Sequence, residues 1–159
     1  MTLIDKKGWL RYLFRAPVYL YHWHLGRLLG RRFLLLTHAG RRSGVKRETV
    51  LEIMEYREDV PEAVVMSGFG RESDWLRNIE TIPNEQVVIG AKRFNATHRF
   101  LGEEEAIVVV RNYESRNWYV VPIVHWVLRR LLSWDYRGSE SDRRRLVRQL
   151  PLLAFRPRS

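Results

Sequence analysis

The sequence predicts an α+β domain on a mainly antiparallel sheet, spanning residues 1–159 as a single unit. Three observations lead there. About six short strand-like runs, punctuated by Gly, Pro, Asn and Asp, occur between residues 33 and 100 and again at 152–155. Segments of helical period stand before, among and after them. The chain has 159 residues and is 45% hydrophobic, enough for one ordinary core. Strands this short favour a closed or half-closed sheet, which protects its edges.

Residues 1–30 form an amphipathic helical segment. Leu10, Leu13, Phe14, Leu20, Tyr21, His24, Leu25 and Leu28 recur at helical spacing, opposed by Lys6, Lys7, Arg11, Arg15 and Arg27. Pro17 predicts a kink or a second helix, and Gly30 a C-terminal cap. Packing on the domain is the ordinary reading of that stripe. Peripheral contact with an anionic membrane is the sharper one, because Trp9, Tyr19 and Trp23 suit a headgroup layer.

The stretch Phe33–Glu55 organises the rest. Phe33 to Thr37 reads as a strand buried on both faces, and Thr49 to Glu55 as a β-branched partner with Glu52 and Glu55 turned away from the core. Between them lies a ten-residue connection, His38 to Arg47. Gly40 and Gly44 allow positive φ, so successive N–H groups can line one concavity, ringed by Arg41, Arg42, Lys46 and Arg47 with Ser43. Arginine forks match phosphate or carboxylate oxygens in pairs. The connection therefore reads as an anion cradle; a merely soluble turn is the plainer alternative.

Ala63 to Met66 forms a third strand, running into the bend Ser67-Gly68-Phe69-Gly70. A short helix follows, with Ser73 as its cap and Asp74 in its first turn. Trp75 in that helix suits a core anchor as well as a ligand wall, and Asn78 suits a structural role. Gln86–Ile89 and Lys92–Phe100 form a hairpin, with Phe94, Ala96, His98 and Phe100 on one face. Residues 103–150 are mainly helical: an acid-started helix from Glu103 to Tyr113, an aromatic-rich segment from Asn117 to Ser133, and a basic helix from Ser139 to Gln149. Leu152 to Phe155 is the closing strand.

The net charge of +10 favours anionic partners. The chain has no cysteine, which excludes disulfides, thiolate nucleophiles and cysteine metal sites. No metal is expected: His22 and His24 do not share a helical face, and His98 and His125 have no carboxylate cluster nearby in sequence. Ser43 and Ser67 lack a nucleophile elbow. No secretion signal or spanning segment is evident, so a cytoplasmic protein is expected, with peripheral contact at the inner membrane face as the extension.

Four pieces of this chain resemble the deazaflavin-dependent nitroreductase family of the flavin and deazaflavin split β-barrel superfamily. They are Gly40-Arg41-Arg42-Ser43-Gly44 with Arg47, the strand ending in Ser67-Gly68-Phe69-Gly70, Asp74-Trp75-Leu76-Arg77-Asn78, and the strand pair after Pro83. The resemblance implies a split β-barrel with flanking helices that binds coenzyme F-420 and passes a hydride to an electron-poor acceptor such as a quinone or nitro compound. It implies that Arg41, Ser43, Gly44 and Arg47, with Arg42 and Lys46 beside them, hold the coenzyme's anionic tail. Met66, Ser67, Gly68, Phe69 and Gly70 would border its ring, and Trp75 and Asn78 match the helix that follows. Leu76 stands where many relatives carry tyrosine. Ser67, Tyr113 and Tyr119 are the candidates for a proton donor. Because the superfamily also holds proteins that use flavin mononucleotide (FMN), FMN is the alternative cofactor. A homodimer is the superfamily expectation. The non-enzymatic alternatives are a basic module binding lipid or nucleic acid; the compact basic loop and apolar contexts of the aromatics argue against nucleic acid.

Overall fold

A computed structural model describes residues 30–159. The amphipathic helical segment expected over residues 1–30, with its membrane-facing side, lies outside the described residues up to position 29. The elements are β1 (Phe33–Ala39), β2 (Lys46–Arg57), β3 (Glu62–Met66), a 3-10 turn (Gly70–Glu72), α1 (Asp74–Thr81), β4 (Gln86–Ile89), β5 (Lys92–Phe100), α2 (Glu103–Arg116), α3 (Val121–Leu132), α4 (Glu140–Gln149) and β6 (Leu152–Pro157). The six strands close into an antiparallel barrel in the order β1-β2-β3-β6-β5-β4.

Alternation along the strands sorts two cores. Leu34, Leu36, Ala63, Val65, Val87, Ile89, Ala96, Leu153 and Phe155 fill the barrel. Trp75, Leu76 and Ile79 of α1 pack into the same cluster. The opposite face of β3 and β6, through Val64, Leu152 and Ala154, packs on α2, α3 and α4. These two strands are thus buried on both sides, and their apolar runs follow from that. Each fully buried aliphatic or aromatic side chain contributes about 2 kcal/mol relative to exposure.

The register of β2 shifts between Ile53 and Glu55. Ile53 belongs to the barrel interior and Met54 to the helix-side core. The extra residue restores Tyr56 to the interior side, opposite Ala63. It also explains why Glu52 and Glu55, three residues apart, both stay out of the barrel.

One polar knot ties the outer face together. Glu62 is 1% exposed because Arg57, Arg99 and Arg156 roof its carboxylate. Glu105 bridges Arg57 and Arg99 at 2.7 and 2.8 Å. Those guanidiniums hold the Glu105 carboxyl at about 2, below the usual range.

Candidate functional site

The β1–β2 ladder extends further than expected, pairing His38 with Arg47 and Ala39 with Lys46. The connection is therefore the six residues Gly40 to Val45, and Lys46 and Arg47 stand on the strand itself. His38 explains the extension. It lies two residues beyond Leu36 on the inward-facing side of β1 and is 5% exposed.

The two glycines of the loop act differently. Gly44 has φ +69° and supplies the left-handed turn. Gly40 supplies space: a Cβ there would sit 2.7 Å from Ser43 Oγ and 3.2 Å from Arg47 Nε. The backbone concavity expected from this loop is largely filled by its own bonds. Gly40 N–H donates to Val45 O, Gly44 N–H to Gly40 O, Val45 N–H to Ser43 Oγ and Arg41 N–H to Asn78 Oδ1. Among the described residues this leaves the N–H groups of Arg42 and Ser43 for a ligand. Recognition of an anion therefore falls mainly on side chains.

Those side chains divide into one anchor and three exposed cations. Arg41 turns inward, donating from Nη1 to Asn78 Oδ1 at 2.9 Å and pairing with Asp74 at 3.3 Å. Arg42, Lys46 and Arg47 are exposed. Lys46 lies 3.7 Å from Glu48, whereas Arg42 and Arg47 have no ion pair with a described residue. A cluster of three exposed cations around a fixed loop fits a phosphodiester with a glutamate tail.

Behind the loop is a buried relay that sequence reading missed. Asn78 is 2% exposed, and its Nδ2 lies 3.1 Å from His38 Nδ1. Because Asn78 Oδ1 already accepts two bonds from Arg41, Nδ2 is the donor and His38 Nδ1 the acceptor, which places the imidazole proton on Nε2. Burial, then the charge of Arg47, lowers the His38 pKa to about 4, so the ring is neutral at pH 7. The signal was present in the inward alternation Leu34, Leu36, His38.

The bend after β3 is held rigidly. Ser67 is fully buried; its hydroxyl donates to Gly70 O at 2.6 Å and lies 2.7 Å from Ser73 Oγ. Its N–H donates to Pro151 O. The Ser67 hydroxyl is thus engaged within the bend. Ser73 does not cap α1 with its side chain as expected, because that oxygen faces Ser67 instead. Gly68 is open: a Cβ there would meet no atom within 4 Å. Met66 and Phe69 are half-buried on either side of Ser67 and Gly68. Trp75 is 8% exposed and packs on Phe155 with ring centres 6.4 Å apart. It belongs to the barrel core.

α1 brings the cradle and the bend together. Ser73 touches the bend and Asn78 the cradle, five positions apart or about 8 Å along the axis. Ile53–Val65 is the last pair of the β2–β3 ladder before the bend, and β2 runs from that pair back to Arg47 and Lys46 at its start.

The proton-donor candidates separate. Tyr113 is 7% exposed and donates to Glu52 Oε1 at 2.6 Å; burial and that carboxylate raise its pKa. Glu52 and Met66 are the residues next after the Ile53–Val65 pair, which puts Tyr113 on the helix side of the same bend. Tyr119 is exposed and stands edge-on to Trp118.

The sequence profile of the family described as F420H(2)-dependent quinone reductase matches residues 19–119, more than half of the chain. No curated protein matches it. Solved structures with TM-scores of 0.50 and above share the fold. An FMN-binding protein related to pyridoxamine 5'-phosphate oxidase, from Nostoc punctiforme, is 15% identical with a TM-score of 0.50, over 90% of this chain and 80% of that one. The haem storage protein HutZ from Vibrio cholerae is 12% identical with a TM-score of 0.51, over 87% and 89%. A structure named F420-H2 dependent reductase is 20% identical with a TM-score of 0.49, over 80% and 96%.

Proposed function

Because the chain belongs to the F420H(2)-dependent quinone reductase family, we propose that it reduces a quinone with reduced coenzyme F-420, and that nitro compounds are a second acceptor class. The observation that carries the reading is the docking of Arg41 on Asn78 and Asp74, which ties the loop bearing three exposed cations to the helix that follows the open bend at Gly68. When bound, the deazaflavin supplies a hydride, which the quinone takes up with one proton to leave as the hydroquinone.

The protein's own part is binding and orientation. Arg42, Lys46 and Arg47 hold the anionic tail, with the free N–H groups of Arg42 and Ser43 as further donors. Arg41 and Asn78 fix the loop from behind. The Ser67 bend, bonded to Gly70, Ser73 and Pro151, presents a rigid backbone edge to the ring. α1 fills the barrel interior with Trp75, Leu76 and Ile79 and keeps water out from beneath. Tyr113, protonated at neutral pH and bonded to Glu52, is poised to hydrogen-bond an acceptor oxygen if it exchanges partners. The proton itself can come from solvent.

The test is a titration of reduced coenzyme F-420 followed by tryptophan fluorescence. Saturable quenching is expected, and Arg42→Ala with Arg47→Ala should weaken binding by on the order of a hundredfold. Equal affinity in the double variant, or binding of FMN in place of the deazaflavin, would refute it.

A further inference from the structure

Seven large hydrophobic side chains are exposed among the described residues, and four of them cluster within nine positions. Trp118 is 73% exposed, Tyr119 56%, Ile123 64% and Trp126 45%. The other three are isolated valines, Val45, Val60 and Val108. Tyr119, Ile123 and Trp126 are spaced by four and three, so they share one face of α3 and the turn leading into it. The other face, with Leu128 and Leu132, is packed in the helix-side core. The exposed stripe is therefore not a helix turned inside out; α3 is apolar on two sides.

Charge defines what such a stripe meets. Between Glu114 and Asp135 the chain has no acidic residue, while it carries Arg116, Arg129 and Arg130. The Arg130 guanidinium lies over the Trp126 ring, 5.2 Å from its centre. Arg129 pairs with Asp135 at 2.6 Å, whereas Arg130 has no ion pair among the described residues, so two copies of this face brought together would set cation against cation with no unpaired acid between them. Tryptophan and tyrosine beside arginine instead suit the headgroup layer of a bilayer. α3 has 12 residues and is about 18 Å long, and among the described residues no helix is long and apolar enough to cross a membrane. The helix would lie in the surface.

We propose that the Trp118 to Arg130 face of α3 docks on an anionic phospholipid bilayer, with Trp118, Ile123 and Trp126 entering the headgroup layer and the arginines meeting phosphate. This is a second surface, separate from the membrane contact expected of residues 1–30, and it needs no coenzyme. An enzyme held this way would meet an acceptor dissolved in the lipid without that acceptor crossing water.

Co-sedimentation of the full chain with vesicles tests it, comparing phosphatidylcholine alone with phosphatidylcholine containing phosphatidylglycerol. Binding to the anionic vesicles, a blue shift of tryptophan emission and weakening by salt are expected. Trp118→Ser with Ile123→Ser should lower vesicle affinity by on the order of tenfold or more, with circular dichroism and melting unchanged. Arg129→Gln with Arg130→Gln should remove the preference for anionic lipid. Undiminished binding by the Trp118, Ile123 variant would mean that another segment carries the contact and would overturn the proposal. So would absence of vesicle binding, or a change from dimer to monomer in that variant by light scattering, which would assign the face to a second copy.

Discussion

Replacing Asn78 by alanine should loosen both the fold and the coenzyme site. Three hydrogen bonds vanish: two from Arg41 to Oδ1, at 3.1 and 2.9 Å, and one from Nδ2 to His38 at 3.1 Å. A neutral bond contributes about 1 kcal/mol net and one to a charged donor about 2 kcal/mol. Their sum is an upper figure, because Arg41 is partly exposed and can regain water. The imidazole of His38 cannot, being buried. A loss of about 2–3 kcal/mol is expected, read as a lower midpoint in urea with an unchanged slope. Coenzyme affinity should fall by about tenfold, because Arg41 no longer ties the cationic loop to α1. Asn78→Asp separates the two halves of the effect. It keeps an acceptor for Arg41 but offers His38 no donor, so the variant should recover stability relative to alanine as pH falls and His38 gains a proton. An Asn78→Ala protein that unfolds at the original midpoint and binds the coenzyme equally well would show that the relay positions nothing.

Gly40→Ala should spare the fold and damage the site, because the added methyl displaces the Ser43 hydroxyl and the Arg47 guanidinium rather than backbone; normal melting with several-fold weaker coenzyme binding is the expected pair of readings. His38 should make the fold acid-sensitive in a defined window. Its folded pKa, about 4, lies below the ordinary 6.5, so the unfolded chain binds the extra proton between them and stability falls as pH drops through that range, by about 3 kcal/mol in full. His38→Gln, measured by urea unfolding at pH 7 and pH 4.5, should flatten that dependence. Glu62→Gln should destabilise by about 3 kcal/mol, since three arginines lose the carboxylate they share; a melting temperature unchanged within a degree would contradict it.

The strands were legible because most alternate cleanly or run apolar throughout. Leu34 to Leu36, Phe94 to Phe100 and Leu152 to Phe155 each announce their faces. The closed order was legible only as a need to protect short edges; that β6 lies between β3 and β5 depends on pairings across the whole chain. The basic loop announced its cations but not their division of labour. Nothing local distinguishes Arg41, which turns onto α1, from Arg42, which stays in water. The difference lies in Asn78, 37 residues away. The loop's apparent wealth of free N–H groups was overestimated for the same reason: their acceptors, Val45 O, Ser43 Oγ and Asn78 Oδ1, are set by the folded turn. Trp75 and Trp118 show the limit of reading aromatics by type. Trp75 lies on the face of α1 that meets the barrel, whereas Trp118 lies in the turn between α2 and α3 and is exposed.

The strand that shuts the ring arrives late in its own sequence. Val64 pairs with Ala154, whereas β1 with β2, β2 with β3 and β4 with β5 are hairpin partners separated by short turns. Three hairpins can thus zip quickly, while the seams on either side of β6 wait for a long loop to close. Until then β3 and β5 are bare edges carrying Val64, Val65 and Ala96. Refolding should show a slow final phase, and a substitution that weakens β6, such as Phe155→Ala, should lengthen the life of an open, sticky intermediate more than an equally costly change inside a hairpin.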